Sequence, residues 1–322
     1  MELKTKTKEA SLEHSLTGRD FLTLDDYNEE ELSYLLQLAT YLKNARKAGK
    51  NVQPLKGKTL GMIFEKSSTR TRVSFEVGIF QLGGTGLFLS KNDIQMGRGE
   101  PIADTAKVLS GYLDGIMIRT FSQAVVEELA ENASIPVING LTDTYHPCQV
   151  LADIQTIQEI KGGLKGVKIA YIGDGNNMAN SLMLGSAVMG MDISVAAPTG
   201  YQPDPSITRK AISIANDHGS KVEVTSNPQI AVDQADVIYT DVWASMGQES
   251  EQMVREQLFS TYQVNRDLCS LAKKDAIFMH CLPAHRGEEV IAEIIDGKRS
   301  VVFQQAENRL HAQKALMLAL MG

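Results

Sequence analysis

The segment at residues 67–72, SSTRTR, alternates hydroxyl side chains with two arginines directly after the apolar run at 60–64. Arginine in the first turn of a helix opposes the helix dipole unless an anion lies there. With a phosphate present, the backbone N–H groups, hydroxyls and guanidiniums of such a turn converge on one dianion. The other interpretation is a capped helix start whose arginines are solvated or paired with surface carboxylates. The pattern favours the anion site.

Two further clusters carry groups able to act on the same ligand. Arg119 ends the apolar run at 115–118, and it either extends to solvent or supplies a third cation. His146 begins the segment HPCQ at 146–149. Pro147 suits the first position of a helix, while the imidazole is able to donate a hydrogen bond to a carbonyl oxygen. Both residues therefore have a structural and a functional interpretation.

The segment GDGNN at 173–177 is similar to the start of a dinucleotide-binding turn but fails its pattern. Met178 stands where the third glycine of G-x-G-x-x-G is required, and no acidic residue occurs at 195–200 to bind a ribose. The two amides of this segment, Asn176 and Asn177, suit the carboxylate and ammonium of an amino acid better than a dinucleotide. A nicotinamide cofactor is not predicted.

Two later segments add a carboxylate, a thiol and an imidazole. DVWASMG at 241–247 holds the only tryptophan, and we interpret it either as a buried anchor or as a mobile lid whose Asp241 pairs with a substrate amine. HCLP at 280–283 lacks the ligand spacing of a zinc site, so no metal is predicted. Nothing in the neighbouring sequence marks Cys281 as a thiolate nucleophile.

Short apolar, β-branched runs alternate with stretches of helix length, which predicts an α/β fold with two doubly wound parallel-sheet domains. Asn28 and Glu31 form the capping-box pattern of a helix that Gly49 ends. Ligands of such folds bind beyond the carboxyl ends of the strands, where the clusters above occur. The predicted strands lie at 60–64, 85–89, 115–118, 135–138, 167–172, 192–197, 221–225, 236–240 and 276–279, and further helices at 146–160 and 307–320.

The bulk composition excludes several classes of protein. A net charge of −7 over 322 residues argues against general affinity for nucleic acid or an anionic membrane surface. No apolar run approaches the roughly 20 residues that span a bilayer, and residues 1–10 lack the apolar block of a signal peptide. The three cysteines, Cys148, Cys269 and Cys281, form no close-set disulfide framework. We expect a cytoplasmic protein.

The motifs SSTRTR, HPCQ, DVWASMG and HCLP, with ENRLH at 307–311, resemble the aspartate/ornithine carbamoyltransferases in their order and intervals. The resemblance runs from Phe21 to the terminal helix. The patterns STRTR and HPxQ within them are shared across that family and imply carbamoyl phosphate as a substrate. The 241–247 loop and HCLP are more selective and favour its ornithine-specific branch. No metal or organic cofactor is implied.

The resemblance also implies a function and an assembly. The expected reaction transfers the carbamoyl group of carbamoyl phosphate to the side-chain amine of L-ornithine, giving citrulline and phosphate in arginine metabolism. Residues 1–150 would form the carbamoyl phosphate-binding domain and 151–322 the ornithine-binding domain. A helix at about 305–322 would return to the first domain. A homotrimer with sites between its subunits is expected.

The family's functional residues map onto matching positions of this chain. The catalytic roles would fall to Arg119 and His146, on the carbonyl oxygen, and to Asp241 and Cys281, on the amine. The residues expected to bind ornithine are Asn177, Asp241, Ser245 and Met246. The residues expected to bind carbamoyl phosphate are Ser68, Thr69, Arg70, Thr71, Arg119, His146, Gln149, Cys281, Leu282, Arg309 and, from a neighbouring subunit, Gln95.

Two alternatives follow from the same residues. A sister transferase would carbamoylate putrescine or N-acetylornithine, but putrescine lacks the carboxylate that Asn177 and the Ser-Met-Gly segment are expected to bind. A non-catalytic anion- or nucleotide-binding module on the same fold would be expected to lack Arg70, Arg119 or His146, and all three are present.

Overall fold

The computed structural model describes residues 15–96, 99–245 and 249–322. The chain divides into two compact units. The first contains the residues up to Gln155 together with Asn308–Gly322, and the second contains Thr156–Glu307. In the described residues, each unit contains one parallel β-sheet, with strand order β2-β1-β3-β4 in the first and β7-β6-β5-β8-β9 in the second.

The first unit alternates strands and helices as its apolar runs predict. Its sheet is built from short strands whose residues are buried in β1, β3 and β4, while the edge strand β2 is partly exposed. Its elements are α1 (Glu29–Lys47), β1 (Thr59–Phe64), α2 (Thr69–Gln81), β2 (Thr85–Ser90), α3 (Ile102–Ser110), β3 (Gly115–Arg119), α4 (Gln123–Asn132), β4 (Val137–Leu141) and the start of α5 (Pro147–Lys161).

The second unit repeats this alternation around a five-stranded sheet. Its elements after α5 are β5 (Lys168–Ile172), α6 (Asn177–Val188), β6 (Asp192–Ala196), α7 (Pro205–His218), β7 (Val222–Thr225), α8 (Pro228–Val232), β8 (Val237–Thr240), α9 (Gln252–Phe259), α10 (Arg266–Cys269), β9 (Ile277–His280), α11 (Ala292–Ile295) and the start of α12 (Val302–Met321).

The start of α1 has the capping box that its sequence predicts. The Asn28 side chain accepts a hydrogen bond from the Glu31 N–H at 3.0 Å, and the Glu31 carboxylate accepts one from the Asn28 N–H at 3.0 Å. Leu32, Leu35 and Leu36 then lie on the buried side of the helix. Local capping and an apolar face therefore define this element together.

Each sheet packs with its flanking helices around a separate apolar core. Ile63 and Ile116 belong to the core of the first unit, with side chains of the flanking helices such as Val126. Ile172 and Phe278 belong to the core of the second unit. Because strands in a parallel sheet are buried on both faces, their sequences read as continuous apolar runs.

The fold confirms the predicted α/β class with two parallel sheets and corrects two boundaries. The strand predicted at 135–138 is Val137–Leu141, and the Pro136 carbonyl accepts a bond from Ile116. Proline has no N–H to donate and is confined to strand ends, so the ladder proper starts after it. The closing helix predicted at 307–320 begins earlier, at Val302. Among the helices of the described residues, none combines the length and the apolar composition of a membrane span.

Candidate active site

The first turn of α2 carries the hydroxyls and arginines of SSTRTR. Ser68 is the N-cap, and its side chain accepts a hydrogen bond from the Thr71 N–H at 3.1 Å. The turn contains no acidic side chain, Thr71 is buried and Arg70 is half-buried. The positive end of the helix dipole and the cation of Arg70 therefore occur together. This is the arrangement that the sequence predicts for an anion site.

Two further arginines lie at this edge of the first unit. Arg309 of α12 donates a hydrogen bond from Nη2 to the Thr71 hydroxyl at 2.8 Å, although 238 residues separate them. Arg119 ends β3 and is opposite Phe64, the last residue of β1, in the sheet register. Both arginines are buried. The functional interpretation of Arg119, as a third cation, fits this placement better than a solvent-exposed strand end.

His146 lies in the field of these cations, directly before α5. Burial lowers the pKa of His146 well below its ordinary value, and the charges of Arg309, Arg119 and Arg70 lower it further. The imidazole is therefore neutral at neutral pH. A neutral imidazole beside three guanidiniums donates or accepts a hydrogen bond without adding a fourth charge.

Two other residues of HPCQ differ in their surroundings: Cys148 lies in the core, and Gln149 has a polar atom that is unpaired within the described part of the chain. The buried Cys148 thiol donates to the Asn139 carbonyl oxygen at 3.2 Å, and burial raises its pKa to about 12. Gln149 donates from Nε2 to Asp153 at 2.8 Å. The Gln149 Oε1 atom is buried and has no hydrogen-bond partner among the described residues. Cys148 is thus an unreactive core thiol, while Gln149 retains an acceptor for a ligand.

Two of the predicted residues of this group are exposed. Thr69 is exposed at the start of α2, and Gln95 is exposed beyond β2. No hydrogen bond between Gln95 and the arginine cluster occurs within the described parts of one chain. The expectation that Gln95 acts on a neighbouring subunit remains a prediction.

The second unit places a carboxylate, a thiol and an amide together. Asp241 follows β8, Cys281 follows β9 and Asn176 follows β5, three strands that are neighbours in the sheet. Cys281 donates from Sγ to Asp241 Oδ1 at 3.0 Å, and Asn176 donates from Nδ2 to Asp241 Oδ2 at 3.0 Å. The carboxyl ends of neighbouring parallel strands meet at one edge, as the fold rule requires.

Two domain models of one family match most of the chain. Residues 19–159 match the carbamoyl-P binding domain of aspartate/ornithine carbamoyltransferase, and residues 165–320 match its Asp/Orn binding domain. The chain belongs to the aspartate/ornithine carbamoyltransferase family. The predicted family and the predicted enzyme class, a carbamoyltransferase, are confirmed.

Similar carbamoyltransferases extend over nearly the same length. An ornithine carbamoyltransferase of Oceanobacillus iheyensis is 69% identical over 99% of this chain and 100% of its own. That of Bacillus subtilis is 62% identical over 95% of each chain. The solved structure of ornithine carbamoyltransferase from Pyrococcus furiosus is 55% identical, with a TM-score of 0.93 over 95% of this chain and 98% of that one.

The carbamoyltransferase sequence does not by itself distinguish Asn176 from Asn177. Asn177, the residue expected to bind ornithine, is the half-buried first residue of α6. Asn176 caps that helix, with Oδ1 accepting from the Met178 N–H at 2.9 Å, and it also bonds Asp241. Asn176 was missed because the amide pair alone does not show which member faces the neighbouring strand. Its position before a helix was the available signal.

Tyr171 is a second residue of the carbamoyltransferase site that sequence reasoning missed. Its hydroxyl donates to Asn176 Oδ1 at 3.1 Å. Burial raises the pKa of Tyr171 well above its ordinary value, and the nearby Asp241, Asp174 and Cys281 raise it further. Tyr171 therefore stays protonated and fixes the orientation of the Asn176 amide. A tyrosine inside an apolar strand gives no sequence signal of this role.

The HCLP segment of this carbamoyltransferase is held by hydrogen bonds to His280. Its Nδ1 atom accepts from the Leu282 N–H at 2.8 Å, and its Nε2 atom lies 3.1 Å from Glu289 Oε1. Leu282, a predicted site residue, has a left-handed backbone with φ of 59°. The buried imidazole thus defines the backbone that carries Cys281 and Leu282.

Asp241, His280 and Cys281 form a trio that sequence spacing did not reveal, since their potential ligand atoms lie within 4.8 Å of one another. Both ring nitrogens of His280 are engaged in the contacts just described, and a metal ligand needs a free nitrogen lone pair. The donor set therefore fits a metal poorly.

The segment after Asp241 contains the remaining predicted ornithine residues. Trp243 is buried and its ring centroid lies 6.0 Å from that of Phe259. Ser245 is half-buried. Met246 lies outside the described residues. The interpretation of this tryptophan as a buried anchor agrees with its burial.

Proposed function

We propose that the chain transfers the carbamoyl group of carbamoyl phosphate to the side-chain amine of L-ornithine, giving citrulline and phosphate. The similar proteins from Oceanobacillus iheyensis and Bacillus subtilis are both named ornithine carbamoyltransferase. The observation that carries the proposal is the cluster of Arg70, Arg119 and Arg309 around the neutral His146, beside the N-terminus of α2.

The first unit has the groups that a carbamoyl phosphate requires. Arg70, Ser68, Thr69, Thr71 and the first-turn N–H groups of α2 would bind the phosphate and stabilise it as it leaves. Arg119, Arg309 and His146 would donate to the carbonyl oxygen, on which negative charge develops as the amine attacks. Gln149 would accept a bond from the carbamoyl amide through its unpaired Oε1. Since these donors are held in place by the fold, they need no reorganisation at the moment of reaction.

The second unit has the groups that an amino-acid acceptor requires. An alkyl ammonium has a pKa near about 10 and must lose a proton before it attacks. Asp241 would bind the side-chain amine, and the Cys281 thiol bonded to Asp241 would help to position it. Asn177, Ser245 and Met246 would bind the α-carboxylate and α-ammonium, and Leu282 would line the reacting amine. No covalent enzyme intermediate is required.

The amine that accepts the carbamoyl group distinguishes the proposed reaction from those of the two sister transferases. Putrescine has no carboxylate and N-acetylornithine has no free α-amine, so each lacks one of the charges that the amide and the Ser-Met-Gly segment would address. The relatives reported above are named for ornithine. The sister substrates are therefore less favoured than ornithine.

We further infer that the active enzyme is a homotrimer in which Gln95 completes the site of a neighbouring subunit. The edge strand β2 and the helix beside it carry exposed apolar side chains, with Phe80 exposed to 75% and Leu87 to 44%. Exposed apolar surface beside an open sheet edge is typical of a protein interface. A role in arginine metabolism and a cytoplasmic location belong to the same proposal.

A product assay tests the proposed reaction. Carbamoyl phosphate is offered with ornithine, putrescine, N-acetylornithine or aspartate, and citrulline is expected to form fastest. Arg70→Ala is expected to abolish carbamoyl phosphate binding while the protein stays folded. The matched control is Arg72→Ala, which removes an exposed arginine of the same hexapeptide that pairs with Glu76. Equal losses in the two variants, or faster carbamoylation of another amine, would contradict the proposal.

A further inference from the structure

Arg255 is a buried arginine of the second unit that lies outside the residues expected to touch either substrate. It belongs to α9, and its side chain is only 7% exposed. The guanidinium donates through Nη1 to Asp174 Oδ2 at 2.9 Å and to the Trp243 carbonyl oxygen at 2.9 Å. It also donates through Nε to Glu251 at 2.9 Å. A buried arginine with three separate acceptors holds three parts of the chain together.

The three acceptors of Arg255 come from three parts of the chain, one of which lies between the predicted ornithine residues Asp241 and Ser245. Asp174 lies two residues after Ile172, where β5 ends. Trp243 lies two residues after Asp241 and two before Ser245, and Glu251 immediately precedes α9. Arg255 thus connects the residues after β5 with the segment that carries Asp241 and Ser245 and with the residue before α9.

Aromatic side chains enclose this contact. The Arg255 guanidinium lies 4.9 Å from the centroid of the Tyr201 ring. Trp243 packs against Phe259, which in turn contacts Tyr201 with ring centroids 5.2 Å apart. A cation that is excluded from water in this way depends on its paired carboxylate, because an unpaired buried charge is costly.

We propose that Arg255 is a positioning residue for the acceptor amine, which holds the Asp241–Ser245 segment against the end of β5 through its ion pair with Asp174. This inference rests on the proposed function, since it assigns the amine to Asp241. Asp241 Oδ1 accepts from the Val242 N–H at 2.8 Å, so a shift of the Trp243 backbone moves the carboxylate. Loss of the pair is expected to weaken amine binding and to leave carbamoyl phosphate binding unchanged.

The ion pair is expected to respond to pH. Burial raises the pKa of Asp174 to about 6, against the opposing effect of Arg255, and Asp241 and Glu251 raise it as well. The nearby Tyr171 stays protonated. As the pH falls through about 6, Asp174 takes up a proton and its attraction for Arg255 weakens. A bound ammonium beside Asp241 would favour the ionised form of Asp174, so amine binding and deprotonation are reciprocal.

The test combines steady-state kinetics with tryptophan fluorescence. Arg255→Met and Asp174→Asn are expected to raise the KM for ornithine on the order of tenfold, as loss of a charged hydrogen bond does, with the KM for carbamoyl phosphate unchanged. Arg255→Lys should be intermediate, because one ammonium does not reproduce the fork geometry. The control is Arg266→Met, an exposed arginine of the same unit paired with Glu293.

Trp243 is the only tryptophan of the sequence, and its fluorescence reports on the contact between Arg255 and Asp174 without turnover. Its emission is expected to change with a midpoint near pH 6 in the unaltered chain and to lose that transition in Asp174→Asn. A proportional rise in both KM values, an unchanged KM for ornithine, or a transition that persists in Asp174→Asn would overturn the inference. If Arg255→Met does not fold, Arg255→Lys and Asp174→Asn decide.

The two proposals fail in different ways. If no citrulline forms while the fluorescence transition is present and depends on Asp174, the proposed function is wrong. The contact between Arg255 and Asp174 is then still supported. If citrulline forms with ordinary selectivity while the variants leave the KM for ornithine unchanged, the positioning role is wrong and the proposed function remains. Binding of 2-aminopentanoate, which has ornithine's backbone without the side-chain amine, separates effects on the amine from effects on the carboxylate end.

Discussion

At the scale of single residues, charge and burial decide what each group of the site is able to do. Burial and three guanidiniums keep His146 neutral, which suits it to hydrogen bonding. Asp241 has the opposite setting, because its oxygens accept bonds from Cys281 and Asn176 and it is suited to a cationic amine. The same type of strand-end position therefore suits an anion in one unit and a cation in the other.

The first prediction concerns the protonation of His146. Its imidazole should show no titration over about pH 5 to 8, where an ordinary histidine titrates, when followed by nitrogen chemical shifts in the NMR spectrum. Because its pKa is depressed in the folded protein, its contribution to stability is present above the ordinary pKa of 6.5 and is lost as the pH falls. A midpoint for His146 near the ordinary histidine value of about 6.5 would contradict the assignment.

The second prediction concerns the thiol beside Asp241. Cys281→Ala removes the donor that lies 3.0 Å from Oδ1, and kcat with ornithine should fall on the order of tenfold. Cys269→Ala is the matched control, since that half-buried thiol has a pKa raised to about 11 and packs against the core of the same unit. Steady-state assays at saturating carbamoyl phosphate measure both. An unchanged kcat in Cys281→Ala would exclude a role for the thiol.

At the scale of elements, strand ends and helix starts carry most of the candidate site residues, and helix α12 carries Arg309. The start of α2 is the clearest case, since Ser68 caps the helix and Thr71 joins that cap to Arg309 of α12. Capping satisfies one N–H and leaves other first-turn donors for a ligand. The residues that stabilise this helix start are thus the ones proposed to bind the phosphate.

The third prediction separates these two roles of the cap. Ser68→Ala should lower the free energy of unfolding by about 1 kcal/mol, as loss of an N-cap does, and should also weaken carbamoyl phosphate binding. Asp204→Ala removes the cap of α7, where Asp204 accepts from the Ser206 N–H at 2.7 Å. It should cost similar stability with no effect on that ligand. Denaturant unfolding and ligand titration give both quantities. An equal effect of Ser68→Ala and Asp204→Ala on carbamoyl phosphate binding would refute the anion site.

At the scale of the whole molecule, the first unit exposes an apolar surface that a monomer does not explain. Val73 and Phe80 lie seven residues apart on α2 and therefore share a face of that helix. Leu87 and Phe88 are exposed on the edge strand β2 beside it. An oligomer with this surface at its interface would cover both the apolar face and the open edge.

The fourth prediction tests that surface. Leu87→Asp should dissociate the assembly to monomers, measured by light scattering after gel filtration, because a carboxylate on a covered apolar face is desolvated without a partner. Ile230→Asp makes the same change at an exposed position of α8 in the second unit and should leave the mass unchanged. A monomeric parent protein, or dissociation by both variants, would be incompatible with an interface at β2.

The fifth prediction tests whether neighbouring subunits share sites. Gln95→Ala and Arg70→Ala variants, each of low activity alone, are mixed after reversible dissociation. If Gln95 serves a neighbour's site, some mixed sites have both residues intact and activity returns. Activity that stays at the sum of the two variants would show that Gln95 does not act across subunits. Mixing Arg70→Ala with Arg119→Ala is the control, because both residues belong to one chain's cluster.

The sequence by itself determined the alternation of strands and helices and the positions of the chemical groups. Apolar runs located the strands because a parallel sheet is buried on both faces, and the Asn28–Glu31 pattern located a helix start. It erred at Val137 and Val302, where a proline and a longer helix shifted the boundaries. Periodicity and capping are local properties, and a local pattern is sufficient to reveal them.

Only the tertiary structure decided which groups meet. It joined Thr71 to Arg309, chose Asn176 as the amide that contacts Asp241, and paired Arg255 with Asp174. These partners are separated by 65 to 238 residues, so no local pattern records them. The pKa changes of His146 and Asp174 depend on burial and on charges brought close through space, and these are properties of the packed chain.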